Sequence, residues 1–287
     1  MLIAAVMSLT GHGINYGIDF AGGLNLQYNM GAAYDKADVE EALKAQGIEE
    51  FVVSSVGSDG TTVQIRVPTL SSEDEVQNLQ NGLESVLLEK YPDMDTDNAT
   101  ASYVGPVAGA TLVRNAVFSV LIAAALMLIY IAFRFDLFSG IAAVVGLLHD
   151  VLIMISFMVI LRSVIQMNSS FIAAMLTIVG YSINNTIVIF DRIRENNKKP
   201  ALAGQPRSEI VEQSVKESLG RTINTTLTTL VTIVTLYILG VASIREFSLP
   251  IIIGILAGAY SANLINGYVW AALEDARLAR KSQKKAA

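Results

Sequence analysis

Hydrophobic and polar residues fall in long blocks along this chain. Beyond residue 113, five apolar segments follow one another at about 115–133, 140–161, 170–190, 222–241 and 249–273. A helix needs ~20 residues to cross a ~30 Å hydrocarbon layer. The pattern therefore predicts five membrane-spanning helices in a domain covering 114–273. Residues 1–9 are apolar as well, but as a helix they reach only ~14 Å. They lack the basic start and small-residue cleavage site of a signal peptide, and read as the residual end of a transmembrane helix that starts upstream.

Residues 10–113 have the shorter periods of a water-soluble domain with its linker. Leu24 to Tyr28, Phe51 to Val56, Thr61 to Val67 and Ala101 to Val104 read as strands. Asp35 to Gln46 has helical spacing, with Val39, Ala42 and Leu43 on one face and Gly47 as the stop. A second helix follows a cap at Ser71 or Ser72 and runs to about Lys90, with Pro92 beyond its end. A turn around Ser58-Asp59-Gly60 joins the middle strands. The order β-α-β-β-α-β is the ferredoxin-like pattern. The segment from Val104 to Leu112 reads as the link to the membrane part.

Composition agrees with the membrane assignment. The chain is 52% hydrophobic and only 16% charged, against ~25% charged in soluble domains. There is no cysteine, which excludes disulfides, iron–sulfur clusters and thiolate metal sites. Two histidines, His12 and His149, are too few for a His-based zinc centre, and no cofactor is implied. No nucleophile–base pair or phosphate-binding loop suggests an enzyme, and nothing suggests a nucleic-acid partner.

Net charge is divided unevenly. Residues 10–105 carry 16 acids and 4 bases; the rest carries 10 acids and 16 bases. Basic residues gather in the loop 191–221 and in the tail 274–287, which places both in the cytoplasm by the positive-inside rule. Arg134, between the first two spans, agrees. Residues 10–113 then lie outside the cell membrane, with the short turns near 162–169 and 242–248. Within the cytoplasmic loop, Ile210, Val211, Val215 and Leu219 share one face of an amphipathic helix. It lies on the membrane surface or packs on the ends of the spans.

Polar residues within the apolar segments are the candidate chemistry, because polarity at membrane depth is costly. His149 and Asp150 sit near the middle of the second span, and Asp150 is the deepest carboxylate in the chain. It is either a hydrogen-bonded structural group or a group that exchanges protons. Asn184 and Asn185 lie in the cytoplasmic half of the third span. These amides either clip two helices together or mark where an ion crosses. Arg221 opens the fourth span at a similar depth to Asn185, followed by Asn224 and the threonines 225, 226, 228, 229 and 232, whose bland role is packing. Asn263 and Asn266 add amides to the last span, and Gly254 and Gly258 form a G-x-x-x-G contact signal. Gly17-Ile-Asp-Phe-Ala-Gly-Gly23 reads, by itself, as a turn feeding a strand.

Several of these runs together resemble one family. They are Gly17 to Gly23 (with Asp19, Gly22 and Gly23), Val104-Gly-Pro106, Arg134-Phe-Asp136, Leu148-His-Asp150, Tyr181-Ser-Ile-Asn184 and Phe190-Asp191-Arg192-Ile-Arg-Glu-Asn196. In this order they resemble SecF, the smaller membrane subunit of the bacterial SecD–SecF protein-export complex. The resemblance covers nearly the whole chain. It implies an α-helical integral membrane protein of the bacterial inner membrane, with a bundle of the resistance–nodulation–division type and a small ferredoxin-like α+β extracytoplasmic domain. It implies SecD as pseudo-symmetric partner or fused half, SecYEG as the neighbouring channel, and YajC and SecA as further partners. The implied task is proton-motive-force-driven movement of a translocating polypeptide after SecA action. The family motif reads Tyr-Ser-x-Asn-Asp, and its Asp is thought to work with an Arg, which matches Arg221. Here that Asp position holds Asn185, which cannot carry a proton. Three readings follow: an uncoupled variant; a proton carried by Asp150 or by a SecD carboxylate; or sodium passing an amide oxygen. The rival functions are a passive translocon scaffold and a small-solute transporter subunit of the same fold.

Overall fold

The protein is represented by a computed structural model that describes residues 1–10, 13–56, 60–68, 70, 72–162, 165–202 and 204–286. His12, the Ser58-Asp59 turn and the alternative cap Ser71 lie outside the described residues. The chain forms two compact units. One contains residues 16–116 and 166–169; the other contains 1–15, 117–165 and 170–287.

The first unit is built on alternation. Strand β1 (Gly23–Asn29) buries Leu24, Leu26 and Tyr28 and turns Asn25 and Gln27 the other way. It pairs antiparallel with β3 (Thr62–Val67), so Leu24 faces Val67, Leu26 faces Ile65 and Tyr28 faces Val63. With β2 (Val52–Val56) and β4 (Asp95–Val104) the sheet order is β2-β3-β1-β4, all neighbours antiparallel. Helices α3 (Lys36–Ala45) and α4 (Glu73–Lys90) complete the β-α-β-β-α-β order expected. Their Val39, Leu43, Leu79, Leu83 and Leu87 join the strand side chains in one core, each contributing ~1.5–3 kcal/mol by leaving water. Asp35 caps α3, and Ser72 caps α4 by accepting the Glu75 N–H at 3.3 Å. Gly47 ends α3 with φ +80°.

The second unit is helical. It holds α1 (Leu2–Leu9), α6 (Leu137–Ile160), α7 (Ser169–Asn196), α8 (Arg207–Leu239), α9 (Ala242–Ser261), a π turn at Ala262–Asn266 and α10 (Gly267–Ala286). Helix α5 (Pro106–Arg134) supplies its first span. Among the described residues, five helical stretches are long and apolar enough to cross a membrane, matching the predicted number. Helix α9 packs against both α6 and α8. A Cβ on Gly254 would stand 2.9 Å from Met154 Sδ, and one on Gly258 3.1 Å from Ser182. The G-x-x-x-G pair therefore does mark a close approach of α9 to α6 and α7. By contrast α5 presents Val117, Phe118, Leu121 and Leu126 outward, the composition of a lipid- or partner-facing surface.

One expectation needs correction, and two others take a definite form. Residues 242–248 are not a turn: α9 starts at Ala242 and carries Pro250 inside it. Pro250 is the ninth residue of α9, beyond the first turn, so it removes one interior hydrogen bond to the carbonyl of Glu246. The link at 104–112 is helical from Pro106, a favoured first helical residue, where α5 starts. Of the two placements expected for the amphipathic stretch 208–219, the structure shows the packed one. It is the first part of α8, and Ile210 and Val211 are buried against the bundle.

Candidate functional site

Asp150 lies in the middle of α6 with no exposed surface. Three side chains from three places donate to it or share a proton with it. Ser182 Oγ, from α7, donates to Oδ2 at 2.5 Å. Ser261 Oγ, the last residue of α9, donates to the same oxygen at 2.9 Å. His149 Nδ1 lies 3.0 Å from Oδ1, and its ring stacks on Tyr260 at 5.8 Å. The carboxyl thus fastens α6, α7 and α9 together, and both its oxygens are satisfied. A carboxyl group buried this way without a fixed cation is costly to ionise unless such donors surround it.

The network continues along α7. Thr186 Oγ1 donates to the Ser182 carbonyl at 3.0 Å, and Asn266 Nδ2 donates to Thr186 Oγ1 at 2.8 Å. Asn266 belongs to the π turn, a helix irregularity often found at functional sites. Beside it lies Gly146 of α6, where a Cβ would be 2.6 Å from Asn266 Cγ. Only glycine admits the amide there.

Several buried polar atoms in this region have no protein partner among the described residues: Tyr181 Oη, Asn185 Nδ2, Thr226 Oγ1, Asn263 Oδ1 and Asn266 Oδ1. Unpaired buried polar groups are rare, and each calls for water, an ion or a second role. Asn185 is buried while Asn184 points outward and is exposed. Arg221 is exposed too, and among the described residues its side chain makes no hydrogen bond or ion pair. Among the described residues, no hydrogen bond therefore joins Asn185 to Arg221. The threonines of α8 mostly return their hydroxyls to the backbone, as at Thr225 to Arg221 O (2.8 Å) and Thr229 to Thr225 O (2.9 Å).

The motif residues outside this network have structural tasks. Gly22 and Gly23 adopt φ +79° and +105° around the turn from α2 (Ile18–Ala21) into β1, backbone that only glycine takes up freely. Gly17 N–H donates to Met167 O at 2.9 Å, and Asp19 Oδ2 accepts the Ser169 N–H at 2.7 Å. At the other end of the spans, Asp191 pairs with Arg134 at 3.7 Å, and the rings of Phe135 and Phe190 lie 6.3 Å apart. Arg192 bonds Glu217 and Glu195, each at 2.5 Å. Fully buried Asn196 donates to Ser214 and Glu217, each at 3.0 Å.

Residues 84–276 match the family described as protein export membrane protein SecD/SecF, C-terminal, and residues 8–30 match the SecD/SecF GG motif. A protein translocase subunit SecF from Rickettsia bellii is 36% identical over 252 residues, which are 88% of this chain and 81% of that protein. The chain belongs to the SecF family. An Alicyclobacillus acidocaldarius SecF is 34% identical over 99% of this chain and 89% of its own length. A crystal structure of SecDF, a translocon-associated membrane protein from Thermus, superposes with a TM-score of 0.80 at 35% identity over 96% of this chain. This chain spans 36% of that SecDF chain. A super-membrane-facing form of SecDF superposes at 0.66 with 32% identity, covering 99% of this chain and 38% of that one.

Within this SecF-family chain, sequence reasoning singled out Asp150 and His149, which lie 3.0 Å apart, but not Ser182, Ser261 and Thr186 of the same hydrogen-bond network. The signal for Ser182 was present, since it lies inside the Tyr181–Asn184 motif. Ser261 follows Gly258 by three residues and so shares the glycine face of α9.

Proposed function

We propose that the chain is a subunit of the Sec translocase accessory machinery that joins a SecD half and couples polypeptide movement to an ion gradient, with Asp150 as the coupling carboxyl. The observation that carries this reading is the Asp150 junction. One fully buried carboxyl holds three helices through Ser182, Ser261 and His149. Protonation at that point changes which groups donate and which accept, so it biases how α6, α7 and α9 pack. Asn185 has no titratable proton, and its unpartnered Nδ2 is a polar lining for hydrated passage. Substrate would reach the machinery through SecYEG after SecA action, with YajC as a further neighbour.

The charge division supports an inner-membrane protein with residues 10–113 outside, and with loop 191–221 and tail 274–287 in the cytoplasm. Residues 1–9 are read as the end of the first span. The chain is read as a non-enzymatic subunit. A second reading, a passive brace of the translocon, draws on Asn185 and on the unpaired Arg221. Infrared spectroscopy of the chain reconstituted with SecD separates the two. The coupling reading expects a pH-titrating carboxyl band that disappears in Asp150→Asn. Absence of such a band in the parent chain favours the brace.

A further inference from the structure

A cavity of about 210 Å³ opens where the turn after α5 meets the last turns of α7 and the start of α10. That is room for about seven waters, less than the ~300–1,000 Å³ of drug-sized pockets. Its apolar wall is made by the rings of Phe135 and Phe190 together with Trp270, which is only 6% exposed. Its polar wall is cationic, because Arg194 and Lys198 both line it. Other bases on or near this helix end are paired: Arg192 and Lys199 with Glu195 and Glu217, Arg134 with Asp191. Among the described residues Arg194 and Lys198 have no carboxylate partner.

The neutral groups of the wall are also donors. Asn197 Oδ1 accepts from Arg207 at 2.6 Å, which leaves the Asn197 amide nitrogen as the group free to donate. Among the described residues the Trp270 indole N–H bonds to no acceptor. One carboxylate, Asp136, lines the cavity, but it is engaged as the cap of α6. It accepts the Ser139 N–H at 2.9 Å and the Ser139 hydroxyl at 2.6 Å. Two cations without a carboxylate partner, in a cavity also lined by Asn197, Phe135, Phe190 and Trp270, match a group that only accepts. A phosphate ester with a short apolar neck is such a group.

We propose that this cavity binds a glycerol phosphate ester, with the phosphate between Arg194 and Lys198 and the glycerol against Phe135, Phe190 and Trp270. Two sources share that chemistry: the headgroup of an anionic phospholipid, and a soluble glycerol phosphate. The proposal goes beyond the export reading and stands without it, since no coupling residue lines the cavity.

Trp270 is the single tryptophan of the chain, so its emission reports on the cavity directly. The full chain is placed in phosphatidylcholine nanodiscs containing either acyl-brominated phosphatidylglycerol or acyl-brominated phosphatidylcholine. A third arm adds soluble glycerol phosphate to nanodiscs of phosphatidylcholine alone. Stronger quenching by the phosphatidylglycerol form assigns the lipid source, and each of Arg194→Gln and Lys198→Gln is expected to weaken that preference about fivefold. An emission change with glycerol phosphate, lost in the same variants, assigns the soluble source. Arg194 and Lys198 are both exposed, so neither substitution is expected to disturb the fold and each checks the other. Equal quenching by both lipids with no response to glycerol phosphate overturns the proposal. So does a lipid preference that survives both substitutions.

Discussion

Ser182 and Asp150 are joined by a 2.5 Å hydrogen bond that links α7 to α6 where neither residue is reached by solvent. The bond is one of two hydroxyl donors on the same carboxyl oxygen, the other being Ser261. Ser182→Ala removes a donor without creating a clash. It is expected to cost about 1–3 kcal/mol, the range for losing a bond to a buried charged or strongly polar group. Thermal unfolding in detergent measures it, and an unchanged midpoint would show that the bond carries no stability.

The glycines of the bundle fall into two groups with opposite expected outcomes. At Gly254 a methyl group meets Ile178 and Met154, both buried and unable to move freely. Gly254→Ala is expected to destabilise by ~1–3 kcal/mol, as overpacking does. At Gly180, inside α7, a methyl group meets nothing within 4 Å. Gly180→Ala is expected to stabilise the helix by roughly 0.5–1 kcal/mol through lower backbone entropy in the unfolded chain. The two variants measured side by side in one detergent check the closeness of the α9 approach.

Acid should loosen one corner of the α/β domain. Asp38 takes an ion pair from Lys90 at 2.5 Å and a hydrogen bond from Tyr91 at 2.5 Å. The Lys90 contact first, and then Tyr91, hold its carboxyl below the usual value of 3.8. A carboxyl lowered on folding adds stability above its unfolded value and loses it as pH falls through the folded one. Hydrogen exchange of the full chain, corrected for intrinsic rates, is expected to show α3 and the end of α4 losing protection below pH 3.8. In Lys90→Met that pH-dependent loss should be smaller. Equal losses in both proteins would remove Lys90 from the explanation.

Glu217 gathers the ends of α7 and α8. It accepts from Arg192 at 2.5 Å, from Asn196 at 3.0 Å and from Gln213 at 2.8 Å. Glu217→Ala leaves the fully buried Asn196 with Ser214 as its remaining side-chain partner. Faster hydrogen exchange across residues 197–207 is the expected result. Unchanged exchange would mean that packing alone orders the connection.

The five spans and the ferredoxin-like order were legible because hydropathy blocks and strand alternation are local signals. Helix ends were not. Helix α7 runs on to Asn196 and α8 begins at Arg207, because charged residues there are satisfied by one another across the two helices, as Arg192 is by Glu217. No single segment records such pairing. Residues 242–248 resembled a turn because Arg245, Glu246 and Pro250 interrupt the apolar run. Arg245 instead folds back to donate to Gly240 O at 2.9 Å, which lets the helix start early. For the site, Asp150 was visible from depth alone. Its partners come from Ser182 and Ser261, small residues that carry no hydropathy signal, and only helix packing brings them together. Asn185 and Arg221, at similar depth by sequence, share no hydrogen bond among the described residues, since depth does not fix which way a helix face turns.

Protein export into inverted membrane vesicles depleted of the native subunit tests the coupling role of Asp150 most directly. The vesicles are supplied with SecD and with this chain, its Asp150→Asn variant or its Asn185→Asp variant, each with and without an uncoupler. Because Asn keeps the shape of Asp150 and can still accept from Ser182 or Ser261, co-purification with SecD should be preserved. The account predicts that the parent chain supports export that the uncoupler stops, and that Asp150→Asn loses this gradient-dependent part. Gradient-dependent export that survives in Asp150→Asn, or that appears only with Asn185→Asp, would contradict it.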